Sequence, residues 1–135
     1  MRKEIMDALI NALTNSGNFK KVLNGVLPPV PNVKSFPTIA VVVDEENRNR
    51  VEVTSCVFQS TLKITAMIYT KASSTKYTDV LSDLIESVEQ TIQQDETLNT
   101  LVLDIYVDKI QQDGGILYPY QLAELTIIAY YRQNT

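Results

Sequence analysis

Gln121-Leu122-Ala123-Glu124-Leu125-Thr126-Ile127-Ile128-Ala129-Tyr130-Tyr131-Arg132 is the stretch on which the fold turns. Ala123, Leu125, Ile127 and Ala129 alternate with Leu122, Ile128 and Tyr130, so a strand formed here is apolar on both sides. Such a strand needs cover on both faces, and helices on one face supply only half of it. The other half must come from a neighbouring subunit or from the proline-rich stretch Pro28-Pro29-Val30-Pro31.

Working back from that strand, Gln111-Gln112-Asp113-Gly114-Gly115 reads as a turn, and 101–110 as a strand in which Leu101, Leu103, Ile105 and Val107 alternate with Asp104, Tyr106 and Asp108. A helix is predicted over about 79–95, with Val80, Leu81, Leu84, Ile85, Val88 and Ile92 on one side and Asp79, Asp83, Glu86, Gln90 and Gln93 on the other. Strands are predicted at 61–70, 51–58 and 36–43, with the polar run 44–50 as the connection between the last two. Residues 28–31 form a polyproline-like linker, and 19–27 holds the turn signal Asn24-Gly25. Residues 2–15 form the first helix, whose apolar side holds Ile5, Leu9 and Leu13. The order is α-β-β-β-α-β-β. It predicts one α+β domain over 1–135, with a mostly antiparallel sheet of four or five strands and both helices on one face.

Composition narrows the chemistry. Among 135 residues there is no His, no Trp and one Cys, which removes a Ser/His/Asp triad, a Cys/His dyad, His-ligated metal sites and an intrachain disulfide. Twelve Lys and Arg against sixteen Asp and Glu give a net charge of −4, the wrong sign for gripping phosphates. The four glycines build neither a phosphate loop nor a dinucleotide fingerprint. Asp104 and Asp108 stand about 13 Å apart on an ideal strand, too far for a carboxylate dyad or one shared metal. Asp44-Glu45-Glu46 reads as a solvated hairpin tip, and Cys56 as a small buried hydrophobe. No catalytic, cofactor or metal site is expected. The N-terminus lacks a signal-peptide core and no run is long enough to span a membrane, so synthesis is expected in the cell interior.

What remains is surface. Asp79, Asp83 and Glu86, with Glu89 beside them, are either the wet side of an amphipathic helix or an electrostatic surface facing a charged polymer or partner. Tyr118, Tyr120, Tyr130 and Tyr131 are core residues or interface anchors. Arg48, Arg50, Lys71 and Lys76 concentrate positive charge in two polar stretches.

The layout resembles the tail terminator, or tail-to-head joining, proteins of long-tailed bacteriophages. The likeness is carried by Ile5, Leu9 and Leu13 of the first helix and by the proline-rich stretch leading into Phe36-Pro37-Thr38-Ile39-Ala40-Val41. It continues in Asp44-Glu45-Glu46, the strand 62–69, the helix 80–92 with its exit Asp95-Glu96-Thr97-Leu98, and the strand 125–131. The resemblance implies a non-enzymatic virion protein, synthesised in the host cytoplasm, that forms a homo-hexameric ring at the tail-neck junction. That ring caps the tail tube protein's polymer, ends its growth and docks the head-completion or stopper protein of the neck, while viral DNA passes through unbound. On this reading Leu122, Leu125, Ile127, Ile128, Tyr130 and Tyr131 make the protomer interface. Glu45, Glu46, Arg48, Arg50, Lys71, Lys76, Tyr118 and Tyr120 lie on docking loops, and Asp79, Asp83 and Glu86 line the lumen. The competing expectation is a cytoplasmic ligand-binding or regulatory α+β homodimer, which requires a concave pocket with convergent polar groups.

Overall fold

In the computed structural model, which describes residues 2–52, 57–71, 77–94, 98, 101–112 and 119–134, the sequence periodicities become two helices and five strands. In chain order these are α1 (Arg2–Asn15), β1 (Lys21–Asn24), β2 (Thr38–Glu52), β3 (Val57–Lys71), α2 (Tyr77–Gln94), β4 (Asp104–Gln112) and β5 (Tyr120–Asn134). The strands form one sheet in the order β1-β2-β3-β5-β4. β1 runs parallel to β2, and every other neighbouring pair is antiparallel. The architecture is α+β, as the element order predicts.

Both helices lie on the same side of the sheet. Ile5, Met6, Leu9 and Leu13 of α1 and Leu81, Leu84, Ile85, Val88 and Ile92 of α2 share one core with Ile39, Val41, Leu62, Ile64, Ala66, Ile68, Ile105, Leu125 and Ile127. The i, i+4 spacing of the α1 set and the i, i+2 spacing of the strand sets are what allow these layers to meet. Val80 departs from its predicted side and stays 52% exposed in the first turn of α2. Gly17 follows the end of α1 at φ 74° and its N–H donates to the Thr14 carbonyl, a left-handed exit that glycine adopts without a Cβ clash. Asn18 Nδ2 then donates to Ser87 Oγ and ties that exit to α2.

The predicted string of elements holds, but the strands composing it differ. Residues 44–50, read as a polar connection, are the outer half of β2, and Asp44-Glu45-Glu46 is no hairpin tip. Cross-strand partners outweigh the weak strand propensity of these residues: Glu45 stands opposite Lys63, Asn47 opposite Thr61, and Lys63 reaches Asp44 at 3.5 Å. A bulge between Val43 and Glu45 keeps the ladder going through the run. The chain therefore leaves β2 only after Glu52, and the predicted strand 51–58 is shared between β2 and β3. Cys56 lies outside the described residues. The missing strand is supplied upstream by β1, four residues long, inside the stretch read as a turn. Gly25, at φ 88°, ends it and donates its N–H to the Val41 carbonyl.

The second face of the sheet is covered in part by the chain itself. Between β1 and β2 the proline-rich stretch makes one 3-10 turn, Val30–Asn32, and enters β2 through a cis Phe36–Pro37 bond. Val33, Ala40 and Tyr69 form a small second cluster there with Leu23, Val30, Phe36, Met67 and Leu122. Tyr69 donates its hydroxyl to the Pro28 carbonyl at 2.7 Å, and burial raises the pKa of that phenol.

Candidate functional site

The fold divides the six predicted protomer-contact residues of the last strand by their alternation. Leu125, Ile127 and Tyr131 are at most 1% exposed and point under the helices, so these three belong to the core and present no surface to a neighbour. Their predicted place in a protomer contact is thereby corrected, because periodicity alone does not say which side the helices take. Leu122, Ile128 and Tyr130 point the other way and are half-buried. Leu122 packs against the second cluster, and Ile128 and Tyr130 lie outside that cluster on the outer face.

Tyr130 is joined there to Tyr106 of β4, hydroxyl to hydroxyl at 3.2 Å, with ring centroids 6.1 Å apart. The hydrogen bond to Tyr130, with burial and the nearby charges of Asp108 and Asp104, pushes the Tyr106 phenol up to about 12.

Of the predicted docking residues, Glu45, Glu46, Arg48 and Arg50 sit on β2 rather than on a loop. Glu46 is turned toward the core side, its side chain only 11% exposed, where Tyr131 donates a hydroxyl hydrogen bond to it. Arg2 and Arg48 stand 3.5 and 3.6 Å from the same carboxylate. Arg48 therefore completes a local charge cluster that holds α1, β2 and β5 together. Sequence reasoning missed this cluster because Glu46 and Tyr131 are 85 residues apart and no local pattern connects them. Lys71 and Tyr120 face each other at the opposite end of the strands, the ammonium 5.7 Å from the ring, and Phe36 lies 5.8 Å from Tyr120. Lys76 and Tyr118 lie outside the described residues.

Asp83 and Glu86 are exposed on the solvent side of α2, and Asp79 occupies its first turn.

Hollows are present on both faces of the sheet. One of about 280 Å³ lies between α2 and β4, lined by Glu89, Ile92, Gln93, Asp104 and Tyr106 among others. A second, about 290 Å³, is formed by Met67, Gln111, Gln112, Leu122 and Glu124 on the outer face. Among the described residues no three His, Cys, Asp or Glu side chains are grouped to hold a metal ion. No described helix is long and apolar enough to cross a membrane. What this surface offers is contact area: broad, partly apolar and flanked by charge.

The sequence model of a family described as Bacteriophage Tail Tube Terminator Protein matches residues 2–135. The chain belongs to this tail terminator family. It is accordingly a structural tail protein of a phage-like virion, of a family not known for enzymes. No curated protein matches it in sequence. Among solved structures it is similar to a chain from the virion of a native gene transfer agent particle, at 9% identity and a TM-score of 0.43, over 93% of this chain and 84% of that one.

Proposed function

We propose that this protein forms a hexameric ring on the last ring of the tail tube, ends tube polymerisation there, and gives the head-completion protein of the neck its docking surface. The observation that carries this reading is the tail terminator match across 2–135. The arrangement of charge and strands supports it. Arg48 and Arg50 lie toward one end of the long strands and Lys71 and Tyr120 at the other, separated by most of the length of β3. Fifteen residues of strand span roughly 46 Å at ~3.3 Å per residue, so a single protomer has one such cluster for the tube and one for the neck.

Asp83 and Glu86 on α2, with Asp79 in its first turn, are the proposed lumen lining, where acids let DNA slide because no phosphate is neutralised. The outer-face residues Ile128 and Tyr130 contribute to the protomer contact in this reading. The homodimer reading would rest on the hollow between α2 and β4, lined by Glu89, Gln93, Asp104 and Tyr106, and the tail terminator match favours the ring over it.

Electron microscopy of tails grown without this protein tests the proposal. Overlong or headless tubes are the expected result. Tubes of normal length with heads attached would overturn it.

A further inference from the structure

Six large apolar side chains are exposed among the described residues, and five of them sit at the two lateral borders of the sheet. Val26 and Leu27, 53% and 38% exposed, come just after Gly25 at the end of β1. Leu103, Tyr106 and Ile110, 55%, 37% and 41% exposed, precede or belong to β4. β1 and β4 are the outermost strands of the sheet formed by the described residues, so these residues flank its two edges.

Charge divides along the same line. From Ala8 to Val43 the chain has three cations, Lys20, Lys21 and Lys34, and no acid. From Tyr77 to Asp108 it has eight acids and no cation. The topology carries the first segment to the β1 border, with α1 against β1, and the second to the β4 border, with α2 against β4. Lys20, Lys21 and Lys34 are exposed, as are Asp104 and Asp108. The ion pairs of the described residues join Arg2, Arg48 and Lys63 to Glu46 and Asp44, away from both borders. Lys34 spends one proton on the Pro31 carbonyl at 3.2 Å and keeps its charge. Lys109 is the one cation on β4.

We infer that the β1 border of one protomer seats against the β4 border of the next copy of the same chain, an inference that rests on the ring reading above and names its contact. Isologous pairing of either border sets like charges against each other, Lys20 and Lys21 against themselves or Asp104 and Asp108 against themselves. Head-to-tail pairing opposes the signs and buries Val26 and Leu27 against Leu103, Tyr106 and Ile110. A heterologous contact of this kind is what a closed ring requires. Side chains govern the contact rather than a continued backbone ladder, because β1 offers only four residues and a bulge between Val107 and Lys109 breaks the edge of β4. Lateral seating leaves both ends of the strands free to face tube and neck.

The inference is tested on the full-length protein capping purified tail tubes. A zero-length carbodiimide crosslinker, applied to a mixture of 15N-labelled and unlabelled protein, is expected to join Lys20, Lys21 or Lys34 of one copy to Asp104 or Asp108 of another. K20E/K21E and D104K/D108K are each expected to lower the fraction of capped tubes at least tenfold, and the chain combining all four changes to recover it. If unmodified protein never forms an annulus on tubes, the ring reading itself fails. If it does, but the intermolecular links fall elsewhere or both charge variants cap as well as the unmodified protein, the border pairing alone is overturned. The crosslinks decide the matter should circular dichroism show a variant unfolded.

Discussion

Tyr131 donates its hydroxyl to the carboxylate of Glu46 from two strands away, β5 reaching β2 across β3. Glu46 in turn gathers Arg2 from α1 and Arg48 from its own strand. A carboxylate this enclosed has lost water around it, and the donors of its neighbours take that water's place. Tyr131→Phe removes one donor and is expected to cost about 1–3 kcal/mol, with Glu46→Ala at least as damaging because it strands a buried hydroxyl. Arg2→Ala is expected to cost under about 1 kcal/mol, since that partner is largely exposed. Urea unfolding curves of the three variants check the order.

The two faces of β5 predict opposite sensitivities for neighbouring residues. Ile127→Ala opens a cavity under the helices and is expected to cost about 2–5 kcal/mol. Ile128→Ala, one residue on, trims a half-buried side chain on the outer face and is expected to cost under about 1.5 kcal/mol. Thermal unfolding of both variants at one pH is the check, and equal losses would contradict the face assignment.

Ser60 is fully buried on β3 and its hydroxyl finds no hydrogen-bond partner among the described residues. A buried hydroxyl without a partner costs stability. Ser60→Ala is expected to leave the melting temperature unchanged or raise it, whereas a clear drop would mean the hydroxyl has an acceptor.

Tyr106 is held protonated to about pH 12 by its hydrogen bond to Tyr130, burial and the surrounding acids. A phenol whose pKa is higher folded than unfolded binds its proton more tightly in the native state. Its contribution is therefore complete below pH 10 and is lost as pH rises from about 10 to about 12. Ultraviolet titration of tyrosinate is expected to show a group titrating near pH 12 that disappears in Tyr106→Phe and moves back toward pH 10 in Tyr130→Phe, beside the raised Tyr69, which both variants keep. The downward slope of stability above pH 10 is expected to flatten in the same variants.

Tyr69 fastens the proline-rich stretch through the Pro28 carbonyl. Tyr69→Phe is expected to cost about 1 kcal/mol and to raise proteolytic cleavage and amide exchange in 26–35 while the helices stay protected. Limited proteolysis read by mass spectrometry distinguishes this local loosening from global unfolding.

The helices were legible because their apolar residues recur at a helical period over long runs: Ile5, Leu9 and Leu13 in α1, and Leu81, Leu84, Ile85, Val88 and Ile92 in α2. The class, the element order and the two-sided apolar character of the last strand followed from the same periodicity. The run 44–50 was misread because its residues have weak strand propensity, and β1 because four residues carry too short a pattern. Both strands exist through partners that only the folded chain brings alongside.

Residue order alone removes histidine chemistry and sorts the charge into a basic stretch from Ala8 to Val43 and an acidic one from Tyr77 to Asp108. Tertiary structure alone decided which side of β5 lies beneath the helices, which acid Tyr131 meets, and that the two charge segments end on opposite borders of one sheet. The reason is that composition and period are local properties of a chain, whereas face, partner and border are set by the strand order β1-β2-β3-β5-β4, which joins residues far apart in sequence.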